Sequence, residues 1–359
     1  MKLKTILGIK QNEMSKGIYE YHTLPNAFKS RTIWKPIIAI LICIIFYLIL
    51  QTILFLISYV ALNFYKTYTI SQYLQLFTGK TTLNLSIIFV LFSSVALLLP
   101  SLFLSMWIMR MNPIRMISSV ALHLRWKFMT KIAIYATVIS ILMHVFIGII
   151  TGTLNDISLP EKTYDIKYWI GFIIVIFFII PLQSAAEEYV FRGFLMQTLG
   201  NWFRSSIISI GVTSILFAFA HTYNSWAFLD VLIFGITNGY LTYKTGGLEA
   251  AIAIHSANNI ISVLQTFLTT QTFDPQASGS SNDLIFTLIQ LITLILITLY
   301  LCNKNNIKRT YTISDKANEI KNIENKTKEK YFEPEKNEKI IKNKEFKQTQ
   351  EIFCCKKNK

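Results

Sequence analysis

The chain has 359 residues, of which 52% are hydrophobic and 15% are charged, and its formal net charge is +15. This apolar fraction exceeds that of most soluble globular proteins and predicts a protein whose solvent is lipid. The positive charge lies in a C-terminal tail and in short segments between apolar runs. Such a distribution is typical of topology-setting charge in membrane proteins, and it argues against a nucleic-acid-binding surface.

Apolar runs of membrane-spanning length follow one another along most of the chain. A helix that crosses lipid needs about 20 mainly apolar residues, and its backbone groups must be paired within the helix. Eight such runs are present, at about 36–63, 83–109, 131–152, 168–187, 206–222, 226–243, 249–269 and 283–302. The sequence therefore predicts an all-α protein, a polytopic transmembrane helix bundle of about eight spans in the cell membrane.

Basic residues indicate which ends of the runs face the cytoplasm. Seven Lys or Arg and two acids precede residue 36, and segment 110–131 contains five Lys or Arg and no acid. Segment 151–167 is nearly balanced in charge. The positive-inside rule then predicts a cytoplasmic N-terminus, and eight crossings return the C-terminus to the same side.

The predicted organisation has five parts. They are a cytoplasmic N-terminal segment (1–35), N-terminal transmembrane helices (36–160), a membrane core with the polar motifs (165–270), a last transmembrane helix (283–302) and a basic tail (303–359). The tail is rich in Lys, Glu and Asn without sustained periodicity, so we expect it to be disordered or partly helical in the cytoplasm. Its basic start suits contact with anionic membrane lipid.

Ionisable side chains within transmembrane helices are costly, so they are functional candidates by default. The first group closes the fourth run, where Glu187 and Glu188 are followed by Arg192. On a helix Glu188 and Arg192 are four positions apart and can pair. Glu187 points about 100° away from Glu188 and is left for another role.

Two further motifs follow on later runs. A Phe-x-x-x-His motif ends at His221, and a His-x-x-x-Asn motif places His255 and Asn259 on one helical face. If the chain reverses near Arg204, Glu187 and His221 are each about 25 Å along their helices from the turn. The sequence therefore predicts that these two residues lie level on neighbouring antiparallel helices and can meet.

Each motif alone has a structural alternative. A carboxylate and an arginine can tie two helices together, and a single histidine can donate to a carbonyl of a neighbouring helix. Acidic, basic and amide side chains on three successive helices, in a region otherwise without charge, favour an active site.

In their order and flanking residues, the three motifs resemble those of the CAAX protease and bacteriocin-processing family, also described as type II CAAX prenyl endopeptidases or the abortive-infection family. The resemblance covers about residues 165–270, and every motif position matches the family pattern. It implies an intramembrane endopeptidase that uses activated water to hydrolyse a peptide bond of a peptide or membrane-associated protein.

Hydrolysis by water needs a base, a group that positions the water and donors for the oxyanion. We expect Glu187 to be the base and His221 to hold the water. We expect His255 and Asn259 to donate to the oxyanion.

Glu188 and Arg192 are expected to support these residues by fixing the helix and countering negative charge. A rival mechanism uses Glu187, His221 and His255 as metal ligands, because one Glu and two His form a known catalytic zinc set. The cofactor is therefore either none or a divalent metal such as zinc.

Other functional classes can use the same polar cluster. A non-catalytic membrane immunity or cell-envelope regulatory protein is the main alternative, whereas the lack of visible internal repeats argues against a transporter. The predicted partners are a peptide or protein substrate and membrane lipid, with no nucleic acid.

Overall fold

The computed structural model describes residues 17–28, 32–64, 67–78, 81–82, 85–111, 113–152, 157, 165–221, 225–269, 272–273, 280–312 and 314–315. Most of the predicted N-terminal segment and the predicted tail beyond residue 315 lie outside the described residues. The chain forms two compact units, Met1–Tyr311 and Thr312–Lys359. In the second unit, the Thr312 amide and hydroxyl donate to Asp315 Oδ2 at 2.6 and 2.7 Å.

Helices make up nearly all of the regular structure in the described residues. They are α1 (Trp34–Asn63), α2 (Ile70–Thr78), α3 (Leu85–Ile108), α4 (Trp126–Thr151), α5 (Ile166–Phe203), α6 (Ser206–Phe219), α7 (Ser225–Thr245), α8 (Glu249–Leu268) and α9 (Ser281–Lys304). Two 3₁₀ segments are Tyr21–Phe28 and Ile114–Ile117. Strand β1 (Ile18–Glu20) pairs with β4 (Thr310–Thr312), and β2 (Thr81–Thr82) pairs with β3 (Thr272–Phe273).

Six helices within the described part of the chain are long and apolar enough to cross a membrane, namely α1, α3, α4, α5, α8 and α9. This confirms the predicted all-α, polytopic membrane bundle. The other two predicted runs form α6 and α7. Helix α6 has 14 residues and is about 21 Å long, shorter than the roughly 30 Å hydrocarbon layer. Helix α7 has 21 residues but carries Asp230, Asn238 and Lys244.

Helix α5 extends well beyond the end of the fourth predicted run at residue 187. It has 38 residues, about 57 Å of α-helix, and includes π-helical turns at Val175–Ile179 and Tyr189–Leu195. Pro181 has no amide hydrogen, and its ring crowds the carbonyl one turn earlier, which accounts for the first π-turn. The second π-turn begins directly after Glu188. The two glutamates therefore lie inside a continuous helix and not at its end.

A tight turn joins α5 to α6 at the predicted position. Arg204 adopts a left-handed conformation, with φ of 52°, and ends α5. The Ser205 hydroxyl then accepts a hydrogen bond from the Ile208 amide and caps α6. The prediction that the chain reverses near Arg204 is confirmed.

Two glycines four residues apart let α7 pack closely on α6. A Cβ on Gly235 would lie 3.2 Å from Ser214 Cβ, and a Cβ on Gly239 would lie 3.0 Å from a methyl carbon of Ile210. Small residues at this spacing allow helix backbones to approach in membranes, where packing rather than water exclusion drives association. The pair brings the middle of α7 close to the charged part of α5.

Loops and the first 3₁₀ segment cover one end of the bundle. The Tyr21 hydroxyl donates to Ile117 O, and Gln197 Nε2 donates to Met116 O at 2.9 Å. Burial raises the pKa of Tyr21 well above its usual range, so the phenol keeps the proton that it donates. These bonds tie the 3₁₀ segments to α5.

A buried ion pair joins the beginnings of α4 and α8 at the same end. Arg125 Nη2 lies 2.6 Å from Glu249 Oε2, and the Arg125 amide donates to Glu249 Oε1 at 2.9 Å. The guanidinium also donates to Thr245 O at 3.1 Å and to Lys308 O at 2.7 Å. The segment after α9 is therefore held to the bundle near Lys308, at the start of the tail that was expected to be disordered or partly helical.

The last turn of α5 packs on the backbone of the first 3₁₀ segment. A Cβ on Gly200 would lie 2.0 Å from His22 O. His22 itself is 2% exposed, so this contact is buried. Because the segment is held by several buried contacts, its backbone has little room to move away.

We expect Gly200→Ala to lower the stability of the fold by about 1–3 kcal/mol, since the added methyl overpacks a buried contact. Gly211→Ala in α6 is the matched control, because its Cβ would meet nothing within 4 Å, and alanine favours a helix. The melting temperatures of both purified variants in detergent measure the difference. Equal melting temperatures would contradict the packing described here.

Candidate active site

The two glutamates of the first motif lie at the junction between the α-helical and π-helical parts of α5. Glu187 is 8% exposed and Glu188 is fully buried. π-Turns within helices often occur at functional sites, because the extra residue redirects the side chains around it. Among the described residues, the buried Glu187 Oε2 has no hydrogen-bond partner.

Glu188 and Arg192 form the ion pair that their spacing predicts. Arg192 Nη1 lies 3.1 Å from Glu188 Oε1, and neither side chain is exposed. Arg192 Nη2 also donates to Gly235 O at 3.2 Å. A buried charge without its partner costs several kcal/mol, so the two residues depend on each other.

His255 of α8 lies between the two glutamates. Its Nδ1 is 2.8 Å from Glu188 Oε1, and its Nε2 is 3.4 Å from Glu187 Oε2. An ionised carboxylate only accepts hydrogen bonds, so Nδ1 carries the hydrogen of the shorter contact and Nε2 faces Glu187. When His255 carries a second proton, the charges of Glu187, Glu188, Arg192 and His255 balance.

Asn238 of α7 is a contact of this site that sequence reasoning did not assign to it. Its Nδ2 donates to Glu188 Oε1 at 3.3 Å, and the residue is fully buried. Glu188 Oε1 therefore accepts from three helices, through Arg192 of α5, Asn238 of α7 and His255 of α8. The feature of the sequence that could have identified Asn238 is its position as a polar residue between Gly235 and Gly239, the two closely packed glycines of α7.

Phe217 of α6 packs against both histidines and the arginine. Its ring centre lies 4.8 Å from that of His221, 5.9 Å from that of His255 and 4.2 Å from Arg192 Cζ. His221 Nδ1 is 2.8 Å from Phe217 O, and His221 is partly exposed. The structure thus brings both predicted histidines around one aromatic ring. The predicted meeting of Glu187 with His221 stays a prediction.

Asn259 lies one helical turn beyond His255 and faces the preceding turn of α5. Its Nδ2 donates to Gln183 Oε1 at 3.0 Å and lies 3.5 Å from Ser184 Oγ. Gln183 and Ser184 precede Glu187 and Glu188 by one turn, so the polar contact between α5 and α8 extends over two turns. Sequence reasoning missed both residues, because each is common in membrane helices as a structural polar group.

Helix α1 also reaches the site. Tyr47, partly buried, lies within electrostatic range of the Glu187 carboxylate. It continues the buried stripe of α1 formed by Pro36, Ala39 and Cys43. In the sequence, Tyr47 could have been found only from the helical spacing of this stripe, because α1 otherwise faces lipid and contains no polar motif.

The residues present do not fit a metal centre in this arrangement. No three His, Cys, Asp or Glu side chains in the described part of the chain are placed so that they can hold a metal ion. His255 Nδ1 faces Glu188, so only Nε2, which lies 3.4 Å from Glu187 Oε2, is left for a metal. The geometry differs from the zinc set of Glu187, His221 and His255 in the rival mechanism.

Comparison with known proteins identifies the region that holds this site. Residues 168–261 match the family described as "Type II CAAX prenyl endopeptidase Rce1-like", which confirms the resemblance. An uncharacterized protein of Bacillus subtilis strain 168, YyaK, is 24% identical to the chain over 169 residues, which are 45% of this chain and 55% of that protein. The match thus spans little more than half of that relative. No solved structure matches the chain significantly.

We expect Arg192→Leu to destabilise the protein by about 3–5 kcal/mol, because it leaves the buried Glu188 without its cation. Arg115→Leu is the control, since Arg115 is exposed. Thermal unfolding in detergent and the amount of inserted protein measure the effect. A loss in Arg192→Leu no larger than that in Arg115→Leu would contradict the importance of the pair.

Proposed function

We propose that this multi-pass membrane protein, which carries an Rce1-like segment at residues 168–261, is an intramembrane endopeptidase. Its substrate is a peptide or membrane-associated protein that reaches the bundle through lipid or from its surface. The observation that carries the proposal is the contact of Glu187 with His255 beside the buried pair of Glu188 and Arg192. This arrangement supplies a base, a donor and a fixed counter-charge within one cluster.

Glu187 is the proposed general base. It accepts a proton from water while the water oxygen forms a bond to the carbonyl carbon of the peptide. His221 positions the water, a role supported by its partly exposed ring beside Phe217. Because the attacking group is water, no covalent link between enzyme and substrate forms.

The electron pair of the carbonyl bond moves to oxygen and creates an oxyanion. Protonated His255 donates to it from Nε2, and Asn259 donates its second Nδ2 hydrogen in place of the long 3.5 Å contact with Ser184 Oγ. When the oxyanion collapses, the carbon–nitrogen bond breaks and Glu187 returns the proton to the leaving nitrogen. The products are a carboxylic acid and an amine, and the enzyme is regenerated.

Glu188 acts on this chemistry through His255. Its contact with Nδ1 holds the imidazole so that Nε2 points to Glu187. Arg192 and Asn238 in turn hold Glu188. No step requires a metal.

We also propose that both termini are cytoplasmic. The basic beginning of α4 and the basic end of α9 lie together, since Lys131 Nζ contacts Asn305 Oδ1 at 2.5 Å and Arg125 donates to Lys308 O. A shared basic end of the bundle agrees with the positive-inside rule.

We expect Glu187→Gln to abolish proteolysis, with a loss of at least about a thousandfold, because an amide cannot accept the proton from water. The measurement compares membrane peptidomes of cells that express wild type or variant at equal levels. Asp165→Asn is the matched control. It removes a carboxylate from the exposed start of α5, and asparagine caps a helix equally well.

Peptide termini that occur with the wild type and Asp165→Asn but not with Glu187→Gln would support the enzyme. Identical peptidomes for all three inserted proteins would instead favour a non-catalytic regulatory protein.

A further inference from the structure

A pair of side-chain amides lies next to the proposed reaction centre. Asn259 Nδ2 donates to Gln183 Oε1 at 3.0 Å, and Ser184 Oγ donates to the same oxygen at 3.3 Å. Two donors on one oxygen fix which side of the Gln183 amide is the acceptor. The opposite side, Nε2, is therefore the donor that Gln183 can offer elsewhere.

Each amide keeps one unused polar atom. Gln183 Nε2 and Asn259 Oδ1 have no hydrogen-bond partner in the part of the chain that the structure describes. Gln183 is 6% exposed, and Asn259 is partly exposed. The hydrogen-bonded pair therefore offers one donor and one acceptor, joined through a single contact between α5 and α8.

This amide pair lies one helical turn from the proposed base and its histidine. Gln183 precedes Glu187 by four residues on α5, and Asn259 follows His255 by four residues on α8. One turn corresponds to about 5–6 Å along each helix. A group bound by the amide pair therefore lies within about two residues of extended chain from a carbonyl carbon held beside Glu187.

The unused atoms match the polar groups of a peptide main chain. A peptide unit has one carbonyl acceptor and one amide donor, and a side-chain amide pair can bind both. Inside a membrane bundle, an unpaired peptide group costs several kcal/mol, so an extended substrate needs such partners.

We propose that Gln183 and Asn259 bind one main-chain peptide group of the substrate next to the cleaved bond. Gln183 donates from Nε2 to the substrate carbonyl, and Asn259 Oδ1 accepts from the substrate amide. Gln183 is thus a substrate-binding residue outside the three motifs. Because the contact is to the main chain, it favours extended peptide and is largely indifferent to side chains. The inference rests on the proposed endopeptidase function.

The test uses Gln183→Met, which keeps the length of the side chain and removes its amide. Gln290→Met is the matched control, because Gln290 is a buried glutamine of α9 whose Nε2 donates to Ser140 Oγ at 2.9 Å. Melting temperatures in detergent establish that both variants are folded. The probe is an equimolar pool of fluorescent synthetic octapeptides.

Binding of the peptide pool is measured in proteins that also carry Glu187→Gln, so that the peptides are not cleaved. Hydrolysis is measured in proteins that keep Glu187. We expect Gln183→Met to weaken binding about tenfold and to raise KM by a similar factor, as the loss of a buried hydrogen bond predicts. We expect kcat to fall by no more than binding does, since Asn259 also loses its contact with Gln183 Oε1. Gln290→Met should behave like its parent in both assays.

Other outcomes separate the two hypotheses. A fall in kcat with unchanged binding would mean that Gln183 only orients Asn259, and this result would overturn the inference. The inference would also be overturned if the peptide pool does not bind, or if it binds to Gln183→Met as tightly as to its parent. A pool that binds through Gln183 but is left intact by the wild type would support the binding site while removing the proposed endopeptidase function.

Discussion

A carboxylate that is taken out of water must be compensated by positive charge and hydrogen-bond donors, and the fully buried Glu188 obtains both from three helices. Arg192 provides the charge from the same helix, while Asn238 and His255 reach Glu188 Oε1 from α7 and α8. Losing any one of these contacts leaves polar groups unpaired in a region with little water. The mutual positions of α5, α7 and α8 therefore depend on this one oxygen atom.

Close packing makes this arrangement possible. Gly235 and Gly239 let α7 approach α6, and Arg192 fits against the Gly235 carbonyl and the Phe217 ring. A larger residue at Gly235 would occupy space within 3.2 Å of Arg192 Nη2. The same short contacts that join the helices thus also hold the guanidinium, so the structural and functional roles of this region are coupled.

Glu187 and Glu188 have different roles in the proposed chemistry. Glu188 accepts three hydrogen bonds at Oε1 and fixes His255, whereas Glu187 Oε2 has no hydrogen-bond partner among the described residues and faces His255 Nε2 at 3.4 Å. One carboxylate is thereby suited to orientation and the other to proton transfer. In the proposed mechanism, the amide pair of Gln183 and Asn259 adds main-chain recognition one turn away, as an endopeptidase that takes extended chain requires. A metal is not needed for any of these roles.

The membrane class and the positions of the apolar helices could be predicted from the sequence, whereas the roles of the six candidate site residues stay predictions. Apolar runs of about 20 residues have few alternatives to a helix in lipid, and polar groups within them stand out because they are costly. The pairing of Glu188 with Arg192 and the turn at Arg204 were also predictable. Both depend on contacts within one helix or between neighbours in the chain.

What the sequence by itself determined was therefore the set of helices and the chemical types available to the site. Only the tertiary structure decided that His255, and not a residue of the nearest helix, bridges the two glutamates, and that Asn238 and Gln183 belong to the cluster. It also decided that α5 continues through the motif with a π-turn. The physical reason is that these contacts join residues 50 to 76 positions apart, whereas sequence periodicity reports only which residues share a face of their own helix.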